Sequence, residues 1–355
     1  MNFFKWLSNI DRRWIYLLMA VVISIPIFIR APVKVKPSPD VTMLYDYLEN
    51  QEEGMGVLLS FDYSPDSLAE LQPMAKALSY HALSKNLRLM GIALSWPSAA
   101  GLGIEAIKSQ VDIINSEVLK DLLDSAEQNE EVKTYAAEKK LASEGLRKEI
   151  LYVLIAKLEK DKEIEERYSE LKGVLEKARI SSEIVTYEKE VRLIGRDWCY
   201  FGYKPGYTQM ILGMGTDIAT TLSTDYKGTS LLKYEMFNSP TEKMKNYDNI
   251  AVCIDLAAGG SLGSWLAFVN TKFGRPVATG VTAVMAADYY PYLQSKQIIG
   301  LLNGMRGAAD YETLIGKPGR GLSGMSSQSA AHILIIIFII LGNIGYFLGK
   351  KGGEK

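Results

Sequence analysis

Short apolar runs alternate with amphipathic segments along the central part of the chain. The runs at 56–64 and 87–95 are separated by a segment whose apolar residues recur every three or four positions, which is typical of a helix. Further apolar runs follow at 198–204, 247–257 and 276–284. Apolar strands that alternate with amphipathic helices form parallel sheets covered on both faces. The pattern therefore predicts an α/β fold, a doubly wound, mostly parallel, Rossmann-like sheet of about five strands.

A charged, helix-forming segment interrupts this alternation between residues 104 and 192. It is rich in Glu and Lys and poor in Gly and Pro, and its apolar residues step by three and four. The pattern predicts long amphipathic helices, which one interpretation arranges as a coiled-coil hairpin. We therefore expect a helical arm inserted into the α/β domain. Its charged face is expected to be solvated, and its apolar stripes to pack within the arm or on a partner.

Two long apolar segments lie near the ends of the chain. Residues 14–30 and 330–349 are long enough to cross a bilayer, and the first lacks the small-residue pattern that a signal peptidase needs. A proline-rich stalk at 31–40 follows the first segment, and a flexible tether at 316–329 precedes the second. The α/β domain then comprises residues 41–315. The sequence predicts a membrane protein that crosses the lipid bilayer twice.

Basic residues around the two apolar segments indicate an orientation. Basic side chains are retained on the cytoplasmic side of a membrane, and they flank the outer ends of both segments at Lys5, Arg12, Arg13, Lys350, Lys351 and Lys355. We therefore expect both termini in the cytoplasm and the main domain outside it. The opposite orientation is favoured by three residues beyond the first segment, Arg30, Lys34 and Lys36.

Composition narrows the classes of partner. The 355-residue chain has a net charge of -1 and a pI of about 6.3, which gives no electrostatic indication of nucleic-acid binding. Its two cysteines, Cys199 and Cys253, lie in apolar runs and are expected to be buried. With two histidines and no phosphate-binding glycine motif, we expect neither a metal nor a cofactor. The helical arm and the small residues of the second apolar segment are the predicted contacts with a protein partner or a second copy.

Candidate site residues follow the strands of the predicted sheet. In open α/β sheets, ligands bind beyond the carboxyl ends of the strands, where the strand order reverses. If the strands that end in Asp62 and Asp255 are neighbours, these carboxyl groups converge; alternatively, each caps the next helix. The full set of ligand-binding candidates at this edge is Asp62, Ser64, Lys204, Asp255, Gly259, Gly260, Ser261 and Thr282.

The motif G-x-S-x-G at 259–263 raises the question of a serine hydrolase. In an α/β-hydrolase the serine follows its strand directly, and an acid and then a histidine come later in the chain. Here three residues separate the strand from the motif, and the only later histidine is His332, in the second apolar segment. A catalytic triad is therefore not expected. The glycines either allow a tight turn or leave the backbone open to a polar or anionic ligand.

Two functions remain open. The first is a membrane-anchored α/β module, non-catalytic, that binds a protein partner or a small polar or anionic ligand at the carboxyl edge of the sheet. The alternative is a membrane-tethered hydrolase with its site around Asp62, Asp255 and Ser261. Convergence of these residues with Lys204 in one pocket would favour the hydrolase, whereas scattered or capping side chains would favour the binding module.

Overall fold

A parallel sheet of six strands forms the centre of the molecule. The computed structural model describes residues 11–29, 36–241 and 243–352. The strands are β1 (Gly56–Asp62), β2 (Arg88–Ala93), β3 (Trp198–Tyr203), β4 (Ile250–Ala257), β5 (Val277–Val281) and β6 (Leu301–Asn303). Their order is β3-β2-β1-β4-β5-β6, so the strand order reverses between β1 and β4.

The predicted parallel α/β sheet is confirmed, but the number of strands is not. The five predicted apolar runs do not include β6, because a strand of three residues is too short to show its own periodicity. β6 pairs with β5 alone and forms one edge of the sheet. Its two leucines are buried.

The first helix, α1 (Arg12–Ile29), precedes the α/β domain. One face of the sheet is covered by α2 (Pro39–Glu49), α3 (Leu68–Ser84) and α4 (Ala99–Val118). Apolar side chains of these three helices share one core with Val57, Leu59 and Phe61 of β1. Because successive strand residues point to opposite faces, Leu58 packs into a second core on the other side. Burial on both faces explains why the strands are apolar throughout.

The inserted segment folds as a compact bundle with its own core. Its helices are α5 (Lys120–Gln128), α6 (Glu130–Lys139), α7 (Ser143–Glu159), α8 (Lys162–Arg167), α9 (Ser169–Lys177) and α10 (Ile180–Glu183). The expected long coiled-coil helices are wrong, because left-handed residues at Lys140 and Lys160 end α6 and α7. The expected start at residue 104 is also wrong, since α4 packs on the sheet as far as Ile114. Asn115 and Arg192 exchange hydrogen bonds of 3.0 and 2.6 Å and hold the ends of the insertion together.

The remaining helices follow β3 in the chain, and most of them cover the second face of the sheet. They are α11 (Tyr207–Met214), α12 (Ile218–Leu222), α13 (Glu235–Asn238), α14 (Leu262–Trp265), α15 (Ala286–Gln294), α16 (Gly304–Leu314) and α17 (Arg320–Gly352). A π-helix, Leu266–Lys272, continues α14. Apolar side chains of α11, α12, α14 and α15 form the second core against the sheet, whereas α16 contributes to the first.

Helix α17 begins on the domain and continues beyond it. Glu312, buried at the end of α16, accepts hydrogen bonds from the backbone N–H groups of Gly319, Gly321 and Leu322. The flexible tether expected at 316–329 is wrong from Arg320 onward, because these bonds and close packing on α16 fix the first turns of α17. Residues 320–344 form the one helix, within the part of the chain that the structure describes, that is long and apolar enough to cross a membrane.

The N-terminal apolar segment forms α1, which packs against α17. Its crossing of a membrane is not confirmed, since α17 contains the single stretch among the described residues that is helical, long and apolar enough. Residues 30–35 of the expected stalk lie outside the described residues. The stalk ends earlier than expected, because α2 begins at Pro39, a residue type that is favourable in the first turn of a helix.

Candidate functional site

Two buried aspartates lie side by side where the strand order reverses. Asp62 is the last residue of β1, and Asp255 lies in the neighbouring β4 opposite Ser60. Because side chains alternate along a strand, Ser60, Asp62 and Asp255 point to the same face of the sheet. The two aspartates are only 2% and 1% exposed. The structure therefore brings together the two carboxyl groups that the sequence placed at neighbouring strand ends.

Hydrogen bonds hold Asp62 in one position. Its Oδ1 accepts from the backbone N–H groups of Leu94 at 3.2 Å and Ser95 at 2.8 Å, in the loop after β2. Its Oδ2 accepts from Ser60 Oγ at 2.6 Å and lies 3.4 Å from the hydroxyl of Tyr207. Asp62 thus ties β1 to the next loop across the sheet edge instead of capping the helix that follows it.

Asp255 is held less completely, and its protonation is perturbed. Ser261 Oγ donates to its Oδ2 at 2.6 Å, whereas Oδ1 is buried without a donor among the described residues. Burial raises the pKa of Asp255 well above its ordinary value. The charge of Asp62 and a hydrogen bond between the two carboxyl groups raise this pKa further, whereas the hydrogen bond from Ser261 lowers it. A proton on Asp255 allows it to donate to Asp62 and removes the repulsion between two buried carboxylates.

Two tyrosines enclose this carboxyl pair. The hydroxyl of Tyr207, at the start of α11, lies 3.3 Å from the carbonyl oxygen of Ser261 as well as near Asp62. Burial and the neighbouring charges of Asp255 and Asp62 raise its pKa, so it remains a neutral hydrogen-bond donor. Tyr289 of α15 donates to the carbonyl oxygen of Gly259 at 2.6 Å, and burial raises its pKa to about 12.

The glycine loop between β4 and α14 is open on one side. Gly259 and Gly260 do not have positive φ angles, and a Cβ built on either would meet no heavy atom within 4 Å. A Cβ on Gly91 in β2, by contrast, would lie 2.6 Å from Ile107. Neither backbone conformation nor packing inside the chain requires glycine in this loop, so the tight-turn interpretation lacks support. Glycine here leaves the backbone accessible from outside.

The other predicted site residues do not join the carboxyl pair. Lys204 donates through Nζ to the carbonyl oxygen of Thr224 at 2.8 Å and to its hydroxyl at 3.2 Å. The hydroxyl of Ser64 donates to Asp66, within its own loop. Thr282 lies at the same edge after β5, where its carbonyl oxygen accepts from Met285 N at 3.0 Å. The predicted set thus divides into a cluster around Asp62, Asp255, Gly259, Gly260 and Ser261, and three residues bonded elsewhere.

Sequence reasoning missed Ser60 and Tyr207. A signal for Ser60 exists, because it precedes Asp62 by two positions in a strand and must share its face. Tyr207 follows a turn after β3, and no local pattern shows that this turn directs it across two strands to Asp62.

Among the described residues, neither an imidazole base nor a metal-binding cluster lies beside Ser261. His81 contacts the hydroxyl of Tyr311 at 2.7 Å and a carboxylate oxygen of Glu49 at 3.0 Å, while His332 lies in the apolar part of α17. Across residues 11–29, 36–241 and 243–352, no three His, Cys, Asp or Glu side chains lie together as a metal site would require. Ser261 is a donor to Asp255 and has no adjacent imidazole base.

No family model matches the chain, and neither a curated protein nor a solved structure matches it. The strand order is that of the doubly wound folds that bind ligands at the reversal point. This fold class hosts many functions, so the function has to be argued from the carboxyl pair and the glycine loop.

Proposed function

We propose that the chain is a membrane-anchored, non-catalytic binding module whose ligand or partner contacts the glycine loop at the carboxyl edge of the sheet. One observation carries this proposal: the loop is open around Gly259 and Gly260 and lies directly beside the carboxyl pair at the strand-order reversal. Binding sites of doubly wound sheets occur at this place in the fold.

The polar groups at the edge favour a hydrogen-bonding ligand without negative charge. Asp62 and Asp255 contribute oxygen atoms, and Lys204 bonds to Thr224 instead of facing the site. An anion at the loop would meet the charge of Asp62, and among the described loops at this edge the lysine Lys204 is bonded to Thr224. The site therefore suits an uncharged polar or a cationic group, which narrows the polar or anionic class that the sequence suggested.

The membrane arrangement that we propose has two spans. α1 packs against α17, as paired spans would, and basic residues flank the outer ends of both helices. Both termini then lie in the cytoplasm and the α/β domain outside it. A C-terminal fusion to a reporter that fluoresces only in the cytoplasm should fluoresce. Activity of an enzyme reporter that functions only outside the cytoplasm, at the same position, would contradict this orientation.

The glycine loop provides a direct test of binding. In Gly260→Leu the new side chain extends into open space, so the protein should keep its thermal stability while access to the loop is blocked. Gly173→Leu in α9 is the matched control, because a Cβ there also meets nothing. Native mass spectrometry of the full chain in mild detergent should detect a co-purified molecule in the wild type and the control, and not in Gly260→Leu. Equal occupancy in all three proteins would refute the site.

The helical arm and the apolar helices are the proposed contacts with a protein partner or a second copy. Val185, after α10, is 56% exposed and outside the core of the arm, so its replacement changes the surface of the arm and not its packing. Light scattering of the full chain in detergent, with Val185→Asp beside the wild type, tests self-association. A wild-type mass that corresponds to one chain would exclude a stable homo-oligomer.

A membrane-tethered hydrolase is the second candidate, favoured by the bond between Ser261 and a carboxyl group of raised pKa. Simple aryl esters and amides offer a first assay with the full chain. Turnover that disappears in Ser261→Ala but persists in Ser295→Ala, a serine at the opposite edge of the sheet, would favour the hydrolase over the binding module.

A further inference from the structure

Helix α17 leaves the domain at the carboxyl edge of the sheet. A Cβ on Gly321 would lie 2.8 Å from Cβ of Ala308, and one on Gly324 would lie 2.5 Å from the sulfur of Met305, so α17 runs antiparallel to α16. α16 starts at Gly304, immediately after the carboxyl end of β6. α17 therefore passes that edge just beyond Gly324, and its apolar part continues outward from there.

The chain enters the domain at the same edge. Arg306 Nη2 donates to the carbonyl oxygen of Lys36 at 2.9 Å, and the N–H of Ser38 donates to Asp310 Oδ2 at 2.9 Å. The two bonds anchor the segment after α1 to α16, one in its first turn and one just past its middle. The two apolar helices, which pack together, are thus attached at one edge of the sheet.

Two loops at this edge expose large apolar side chains. Val284, in the loop after β5, is 86% exposed, and Trp96, in the loop after β2, is 52% exposed. The β5 loop lies beside the exit of α17, because a Cβ on Gly304 would be 2.8 Å from Cβ of Ala283. Exposed Trp and aliphatic residues next to a spanning helix are typical of the membrane–water interface.

Charge differs between the loops at the two edges of the sheet. The loops after β1, β2, β3, β4 and β5 contain two charged residues, Asp66 and Lys204, and both bond to neighbouring hydroxyl or carbonyl groups. The first turns of the helices that follow add Glu70, Asp288 and Arg306, of which Glu70 accepts from the N–H of Ala283 at 2.8 Å, so this edge suits the headgroup layer and not the hydrocarbon interior. Every loop that leads into a strand carries charge, including Glu52, Glu53, Lys85, Asp197, Asp248, Arg275 and Lys296. One edge suits contact with lipid, and the other suits water.

From these observations we infer that the carboxyl edge of the sheet rests on the bilayer crossed by α17, with Val284 and Trp96 inserted among the lipid headgroups. This inference rests on the membrane anchoring in the proposed function. It also places the Gly259–Ser261 loop at the lipid surface, so its ligand approaches along the membrane.

Site-specific labels on the full chain in phosphatidylcholine vesicles test this arrangement. Val284→Cys and Trp96→Cys each receive an environment-sensitive fluorophore, and Glu52→Cys at the opposite edge is the control. The native cysteines are buried, so labelling selects the introduced thiol. The labels at 284 and 96 should emit at shorter wavelength than the label at 52. Nitroxide-bearing lipid should quench them strongly, and aqueous iodide only weakly.

Failure of the inference is distinguishable from failure of membrane anchoring. If an alkaline carbonate wash releases the chain from the vesicles, the anchoring itself is wrong. If the chain is retained, but iodide quenches the label at either 284 or 96 as strongly as the label at 52, the contact of this edge with the bilayer is refuted.

Discussion

Replacing Asp255 by Asn should make the protein less sensitive to rising pH. The amide can accept from Ser261 and donate to Asp62, so it reproduces the bonds of a protonated Asp255 without a titratable group. Because the folded-state pKa of Asp255 is raised, its protonated form stabilises the fold fully below the unfolded pKa of about 3.9. This stabilisation is lost as the pH rises towards the folded pKa.

The size of the effect follows from linkage. Between the unfolded pKa of about 3.9 and the raised folded pKa of Asp255, the wild type should lose about 1.4 kcal/mol of unfolding free energy per pH unit relative to Asp255→Asn. Asp255 is 1% exposed, so solvent does not appreciably screen the electrostatic interactions that raise its pKa. For a domain of this size, each kcal/mol corresponds to about 2–4 °C in the midpoint of thermal unfolding. The variant should match the wild type near pH 4 and exceed it increasingly from pH 5 upward.

Thermal unfolding of the detergent-solubilised full chain, followed by circular dichroism between pH 4 and 8, measures this difference. Asp217→Asn is the control: burial opposes ionisation of Asp217, but its bond from Thr220 and the nearby Lys243 outweigh burial and lower its pKa. Asp217 is ionised in both the folded and the unfolded protein above pH 5. The difference in stability between Asp217→Asn and the wild type should therefore not change with pH above pH 5. A flat difference for Asp255→Asn as well would refute the shared proton.

Three further changes test the packing described above by thermal unfolding. Gly91→Ala should lower stability by about 1–3 kcal/mol, because its Cβ would meet Ile107 and Tyr200. Gly263→Ala should not lower stability, because a Cβ there meets no heavy atom within 4 Å. Equal effects of the two substitutions would contradict this packing. Glu312→Ala should cost about 1–3 kcal/mol, since two buried backbone N–H groups, those of Gly321 and Leu322, and the part-buried N–H of Gly319 lose their acceptor. An unchanged midpoint would show that other groups replace it. Deletion of 120–190 with a short linker should leave the α/β domain folded by circular dichroism and gel filtration, because the arm has a separate core. Aggregation of that variant would show that the arm is needed to cover the sheet.

The alternation of apolar runs was sufficient to predict the parallel sheet, because a strand buried on both faces reads as a continuous apolar run. The same reasoning fails for β6, because three residues are too few to show a pattern of apolar and polar positions. It also fails for the start of α17, where polar, glycine-rich composition suggested a flexible tether. Gly321 and Gly324 instead allow close packing on α16, a tertiary contact that composition alone does not reveal.

Prediction of the candidate site was limited in the same way. Asp62 and Asp255 were identifiable because each lies near the end of an apolar run, and the rule for ligand sites in open sheets selects strand ends. The direction of Lys204 was not identifiable, since its partner Thr224 lies 20 residues later in an irregular segment. The openness around Gly259 and Gly260 likewise depends on what the surrounding chain leaves uncovered.

Helix α4 connects the two ends of the molecule. It starts just after Trp96, whose carbonyl oxygen accepts from Ala99 N at 3.0 Å, and its 20 residues extend for about 30 Å to the arm. Strands of six residues span only about 20 Å, so α4 carries the bundle past the far edge of the sheet. If the carboxyl edge rests on the bilayer as we infer, a protein bound to the bundle would contact the chain on the side away from the lipid, and α4 would connect its binding site to the loop that contains Trp96.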